Sequence, residues 1–122
     1  MIGYTTFGTN DLARAGKFYD ALLAELGAKR AMEMETFIAW ATAPNTPMVA
    51  IIKPFDKKPA TVGNGVMVAL LASSKEQVDK IHAKALALGG KDEGAPGPRG
   101  PGFYAGYFRD LDGNKLNAFF IG

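Results

Sequence analysis

The chain repeats its own pattern at an offset of 63 residues, and no other feature constrains its fold as tightly. Residues 11–27 lie over residues 74–90, which puts Phe18 on Ile81, Leu23 on Leu86 and Lys17 on Lys80. The same offset carries Tyr4 onto Met67, each in an apolar run that precedes a helix-like stretch. Identity between the copies is low; what matches is the order of strand-like run, capped amphipathic helix, glycine stop and further strand-like runs. A repeated supersecondary unit predicts two modules that close one core and share one cavity. Tyr4 and Met67 then occupy equivalent places, and their chemistry limits what such a cavity can do.

The first copy begins with a short strand over residues 2–8. Asn10 or Asp11 can cap a helix to about Leu26, with Leu12, Ala15, Phe18, Tyr19, Leu22, Leu23 and Leu26 as its apolar face. Gly27 stops it where a left-handed residue is needed. Residues 28–35, 37–43 and 48–53 read as strands, broken by Pro44-Asn45 and Pro54, and residues 55–63 as a polar linker. The second copy repeats the order. A strand spans 65–72, and Ser73-Ser74-Lys75-Glu76 resembles a capping box opening a helix with Val78, Ile81, Ala85 and Leu88 buried. Gly89-Gly90 end that helix, a weak strand follows at 91–93, and residues 94–102 read as a proline- and glycine-rich loop. The last strands, 103–109 and 115–121, join through Asp112-Gly113, a strong hairpin signal. The result is an α+β chain of two βαβββ modules, about 1–54 and 65–122, with helices outside a curved mixed sheet.

Composition narrows the chemistry. At 122 residues the chain makes one domain, long enough to bury about two-thirds of its unfolded surface without cross-links. A net charge of +2, with basic residues scattered, argues against nucleic acid or an anionic membrane as a partner. No apolar stretch approaches the roughly 20 residues of a membrane span, and no leader pattern opens the chain. The absence of cysteine removes disulfides, thiolate ligands and thiol nucleophiles, and fits a cytoplasmic protein. The chain has one histidine, His82, mid-helix and without a second imidazole; it reads as a helix-flank residue rather than a ligand. Asp110-Leu-Asp-Gly-Asn114 resembles the start of a calcium loop, but Lys115 and Ile121 stand where such a loop needs glycine and glutamate. It reads as a turn.

Gly8-Thr-Asn-Asp-Leu-Ala-Arg-Ala15, with Phe18-Tyr19 and Leu26-Gly27, resembles the opening of the vicinal oxygen chelate superfamily of glyoxalases, bleomycin-resistance proteins and extradiol dioxygenases. Ala85-Leu-Ala-Leu-Gly-Gly90, Gly94-Ala-Pro-Gly97, Phe103-Tyr104 and Arg109-Asp-Leu-Asp-Gly-Asn114 resemble the second module of its small members. The resemblance implies a partly open mixed β-barrel around a cavity, commonly in a homodimer. It also implies, for the metal-dependent members, histidine and glutamate ligands on the first and last strand of each module. Here Tyr4 and Met67 stand at the two first-strand positions and Asn117 at the last-strand glutamate. The last strand of module one, Met48-Val-Ala-Ile-Ile-Lys53, has no carboxylate. A phenol, a thioether and an amide are poor ligands for divalent first-row ions, so the expectation is no metal and no cofactor.

The preferred reading is a metal-independent binder of a small organic molecule, held in the inter-module cavity. Tyr4, Thr6, Trp40, Met67, Arg99, Tyr104, Asn117 and Phe119 are the candidate lining residues. Tyr4 and Thr6 share one strand face, and Asn117 points away from Leu116 and Ala118. These polar groups either plug a dead cavity or line a live one, and Arg99 either closes over an anionic group or stays solvated. The alternative is a glyoxalase-like lyase or isomerase with an atypical or lost metal site, using Tyr4 as acid and Glu33 or Glu35 as base.

Overall fold

The structure, a computed structural model, describes residues 1–122. It divides into two compact units, Met1–Val62 and Gly63–Gly122. The first contains β1 (Tyr4–Gly8), α1 (Leu12–Ala24), β2 (Lys29–Met34), β3 (Phe37–Ala41) and β4 (Met48–Ile52). The second contains β5 (Val68–Leu71), α2 (Lys75–Ala87), β6 (Lys91–Pro98), β7 (Phe103–Arg109) and β8 (Lys115–Ile121). The offset of 63 carries both ends of α1 onto both ends of α2, Leu12 onto Lys75 and Ala24 onto Ala87. Each unit forms its own four-stranded mixed sheet, ordered β1-β4-β3-β2 and β5-β8-β7-β6. The class is α+β with two βαβββ modules, and strand pairing is completed inside each module rather than around a closed barrel.

In both modules the first and last strands pair in parallel. Parallel neighbours need a crossover, and the helix that follows the first strand begins it. Asp11 caps α1 by accepting from Arg14 N at 3.0 Å. The helix ends with Ala28 N donating to Leu23 O at 3.0 Å while Gly27 sits at φ 75°, a left-handed stop that glycine adopts without steric cost. The cap of α2 is Ser74, which accepts from Gln77 N at 3.1 Å, and Gln77 in turn accepts from Ser73 N at 2.7 Å. The reciprocal partner is therefore Gln77 rather than Glu76. With Ser74 as the extended residue, the third helical position falls one residue later than the sequence suggests. At the far end Gly90 N donates to Ala85 O at 2.8 Å, with Gly89 as the left-handed residue at φ 98°.

One face of each sheet is covered by its own helix. Under α1 lie Phe7, Ile38, Trp40 and Ile51, and Tyr19 reaches down to within 6.2 Å of the Phe7 ring and 5.6 Å of Trp40. Under α2 lie Leu70, Phe108, Leu116 and Ala118, packed on the buried Val78, Ile81 and Ala85. Strand alternation then sends Tyr4, Thr6, Phe37, Ala39, Met48 and Ala50 to the helix-free face of the first sheet, where Phe37, Ala39 and Ala50 form a second small core. It sends Ala69, Ala105, Tyr107, Asn117 and Phe119 to the helix-free face of the second.

The edge strand of each module is tied back to its helix across ten residues, with the carboxylate on the helix in the first and on the strand in the second. In the first, Arg30 of β2 clasps Asp20 of α1 through two 2.8 Å bonds, and the Trp40 indole donates to the same carboxylate at 2.9 Å. Gly16 of α1 makes room, since a Cβ there would lie 2.9 Å from the guanidinium. In the second, His82 of α2 meets Asp92 of β6 at 3.0 Å and the Tyr107 carbonyl at 3.2 Å. His82 is 5% exposed and its ring lies over Gly106, so it is a core residue of the helix–sheet interface and not a helix-flank residue. The pattern at Val78, Ile81 and Ala85 already marks the buried stripe; His82 joins it because Gly106 leaves the space beneath.

Two loops are more ordered than their composition suggests. Residues 94–98 belong to β6, an edge strand whose two irregularities, at Asp92/Gly94 and Gly94/Gly97, absorb its glycines and Pro96. In the linker, Ala60 N donates to Asn10 Oδ1 at 2.6 Å, pinning it beside the start of α1. The turn before β8 is held by Asp110, whose carboxylate accepts from Asp112 N and Asn114 N, both at 2.9 Å. It is a hairpin turn, as its sequence implies.

Asp20 generates a prediction. The Arg30 hydrogen bond holds its carboxyl below the ordinary carboxylate range, against a smaller opposing effect of burial. A pKa lowered on folding stabilises the protein above the unfolded value near 3.9 and loses that contribution as pH falls through the folded one. Asp20→Ala also strands the indole N–H of Trp40, which is 1% exposed; an unmade buried bond of this kind costs about 1–3 kcal/mol. Asp20→Asn keeps an acceptor for the indole. Chemical denaturation at pH 7 is expected to rank wild type above Asp20→Asn above Asp20→Ala. The gap between wild type and Asp20→Asn is expected to close below about pH 4.

Candidate functional site

The parallel pairing of first and last strands determines which side chains share the helix-free faces. In the first module Tyr4 stands opposite Met48 and Thr6 opposite Ala50. Tyr4 is 58% exposed and meets Phe37 edge-on at 6.1 Å between ring centres. The face is otherwise apolar, with Met32 and Met34 of β2 exposed beside Ala39 and Phe37.

In the second module Asn117 of β8 stands between Ala69 of β5 and Tyr107 of β7. It is 2% exposed, and its Oδ1 is buried with no hydrogen-bond partner. Phe119, two residues on, stacks on Phe103 at 5.5 Å with the rings 15° from parallel. Arg99 is not a free loop arginine. Its guanidinium lies 5.5 Å from the centre of the Tyr107 ring and donates to the Ala95 carbonyl at 2.6 Å. Lys115 approaches the same ring to 5.6 Å. Arg109 of this face is paired with Glu93, whose carboxyl that guanidinium holds below its usual range. Met67 stands immediately before β5 and is 39% exposed.

Six of the eight candidate residues thus lie on or beside the helix-free faces: Tyr4 and Thr6 in the first module, Met67, Arg99, Asn117 and Phe119 in the second. Trp40 and Tyr104 do not. Trp40 is in register with Val49 and Arg30 under α1, and its N–H is spent on Asp20. Tyr104 donates its hydroxyl to Asp79 of α2 at 2.7 Å, and that bond raises its pKa. Both are one residue out of phase with the helix-free face. Aromatic content alone does not reveal phase; the pairing register does. Tyr107 and Lys115 join this face: Lys115 shares the phase of Asn117 along β8, whereas Tyr107 is set beside it only by the β7–β8 register.

Glu33 and Glu35 are not brought to Tyr4. Glu33 faces Ile38 on the α1 side and accepts from Arg30 at 2.7 Å, while Glu35 lies in the turn between β2 and β3. An open cleft of about 610 Å³ in the first module is lined by Thr9, Thr36, Ile52, Lys53, Phe55 and Lys57, and contains none of the candidate residues.

The metal that the sequence resemblance implies finds no fitting donor set. The first-strand positions present a phenol and a thioether, and the last-strand position an amide. Nowhere does the chain gather three or more histidine, cysteine, aspartate or glutamate side chains in an arrangement that would hold an ion. Divalent first-row ions need such ligands.

With this geometry in hand, comparison with known proteins is specific. The profile of the Glyoxalase/Bleomycin resistance protein/Dioxygenase superfamily matches residues 1–118. A glyoxalase/bleomycin resistance protein from Albidiferax ferrireducens T118 is 38% identical, with a TM-score of 0.90 over 98% of this chain and 97% of that one. A glyoxalase/bleomycin resistance protein/dioxygenase family enzyme from Burkholderia phytofirmans PsJN shares the fold at 16% identity, TM-score 0.78, over 98% of each chain. A lactoylglutathione lyase from Agrobacterium tumefaciens does so at 20% identity, TM-score 0.71, over 98% of this chain and 92% of that one. Among curated proteins none matches. The chain belongs to the Glyoxalase/Bleomycin resistance protein/Dioxygenase superfamily.

Proposed function

We propose that this chain is a small-molecule-binding member of its superfamily that works without a metal, holding its ligand against the helix-free sheet faces. The observation that carries the reading is the chemistry of those faces. They offer aromatic rings, a phenol, two cations and a buried amide oxygen without a partner. Aromatic and apolar surface with a few placed polar groups is what a ligand site requires. The faces offer no imidazole, since His82 is on the helix side, and their carboxylate, Glu93, is held by Arg109. General-base chemistry needs a proton acceptor within reach of substrate, so the lyase or isomerase reading has less support. A cytoplasmic location suits a chain without cysteine.

A homodimer is part of the proposal. Tyr4, Met32 and Met34 on one helix-free face, and Leu71 and Ile121 on the other, are between 48% and 66% exposed. Large exposed side chains of this kind on a sheet face support an interface between copies of the chain.

A screen of small organic molecules is expected to find compounds that raise the unfolding midpoint, as any native-state binder does. Asn117→Leu is expected to weaken such a compound by up to about tenfold, the worth of one well-placed hydrogen bond, while the ligand-free midpoint stays within a few degrees. Unchanged affinity with a falling midpoint would make Asn117 a structural residue instead. Protein purified without a histidine tag is expected to carry no stoichiometric transition metal by elemental analysis; about one chelatable zinc, nickel or iron per chain would favour the enzyme. Light scattering at micromolar concentration is expected to return twice the 13.0 kDa chain mass, and a monomeric mass would remove the dimer.

A further inference from the structure

The helix-free face of the second module carries two cations outside any ion pair, with Glu93, the acid nearest Lys115, hydrogen-bonded to Arg109 instead. Arg99 and Lys115 both approach the Tyr107 ring, at 5.5 and 5.6 Å, and neither forms an ion pair. The guanidinium gives hydrogen bonds to the Ala95 carbonyl at 2.6 Å and, more weakly, to that of Pro98 at 3.4 Å. An arginine has five N–H donors, so most of its capacity is unspent. The one carboxylate of β6 that points to this face, Glu93, is committed to Arg109.

The position of Arg99 is built rather than incidental. It lies over the glycines of β6, where a Cβ on Gly94 would stand 3.3 Å from Nη2 and one on Gly97 3.2 Å from Nη1. Side chains at those two places would crowd the guanidinium and shift it by a few tenths of an ångström. Beside this cradle, in register with Tyr107, is Asn117, with its buried and unpartnered Oδ1. A buried acceptor without a donor is rare, because water has been removed and nothing replaces it. Two residues along β8, Phe119 stacks on Phe103 and supplies apolar aromatic surface.

We propose that this face recognises a small organic carboxylate carrying an adjacent hydroxyl or N–H donor and a flat apolar body. The carboxylate is held by Arg99 and Lys115, the donor satisfies Asn117 Oδ1, and the body lies along Phe119 and Phe103. A guanidinium fork matches a planar carboxylate, which favours it over a point-charge contact. This inference rests on the small-molecule reading above and narrows the class of ligand.

The test compares probes and variants on the full-length protein by titration calorimetry. Mandelate has all three features, phenylacetate lacks the hydroxyl, phenylacetamide lacks both hydroxyl and charge, and inorganic phosphate lacks the apolar body. Affinity is expected to fall from mandelate to phenylacetate, with phenylacetamide and phosphate at least tenfold weaker than mandelate. Arg99→Gln is expected to cost mandelate about tenfold and to leave the ligand-free unfolding midpoint in place, since Arg99 is exposed. Gly97→Ala, which crowds the guanidinium without a positive φ to strain it, is expected to weaken mandelate severalfold. Phenylacetamide binding as tightly as mandelate, phosphate binding as tightly as mandelate, or Arg99→Gln leaving mandelate affinity unchanged would each overturn the anion site. If neutral compounds from the screen still bind in those cases, the small-molecule reading survives alone. If no compound of either kind binds, both fail.

Discussion

Everything distinctive in this chain follows from the parallel pairing of the first and last strand in each module. A parallel neighbour cannot be reached through a tight turn, so the chain must leave the sheet, and it does so through a helix. That helix then covers one face and only one. Strand alternation divides each module into a saturated side, where Phe7, Trp40, Phe108 and Leu116 are packed to nearly zero exposure, and a helix-free side. The same pairing sets Tyr4 and Thr6 beside Met48 and Ala50, and Ala69 beside Asn117. The candidate site is a consequence of topology before it is a matter of particular side chains.

The two modules solve the same mechanical problem with different chemistry. An edge strand presents one unpaired row of backbone groups and must be held to the domain. In the first module Arg30 reaches back to Asp20, and in the second Asp92 reaches back to His82, each across ten residues. The first tie is bidentate and carries Trp40 as a third partner. The second is completed by the backbone of the bulged strand, since Gly94 N donates to the same Asp92 oxygen at 2.9 Å, the largest cause of that carboxyl's lowered pKa. His82 is thereby explained as a residue of the helix–sheet interface.

Much of this was legible in the residues. The repeat, both helices with their buried stripes, the glycine stops and the Asp112-Gly113 hairpin are set by local periodicity and turn chemistry, which depend on near neighbours along the chain. The features read differently in the structure all involve a partner distant in sequence. Residues 94–98 form a strand despite their glycines and Pro96 because β7 offers a ladder that tolerates irregularity at an edge. Trp40 and Tyr104 turn to the helices because Asp20 and Asp79 wait there. Arg99 lies on the sheet because glycines far from it in character, though near in number, leave the space.

The sequence by itself determined the module, its repetition and the residue types at the inherited positions, Tyr4, Met67 and Asn117. Those are questions of pattern, and a period of 3.6 or of 2 is written into the chain whether or not it folds. Only the tertiary structure decided which face each aromatic takes, which charges are spent and which remain. Register between strands is a cooperative outcome of the whole sheet, and a shift of one residue reverses every side chain in it. That is why Arg99, Tyr107, Lys115 and Asn117, drawn from three different strand regions, emerge as one group only once β6, β7 and β8 are laid side by side.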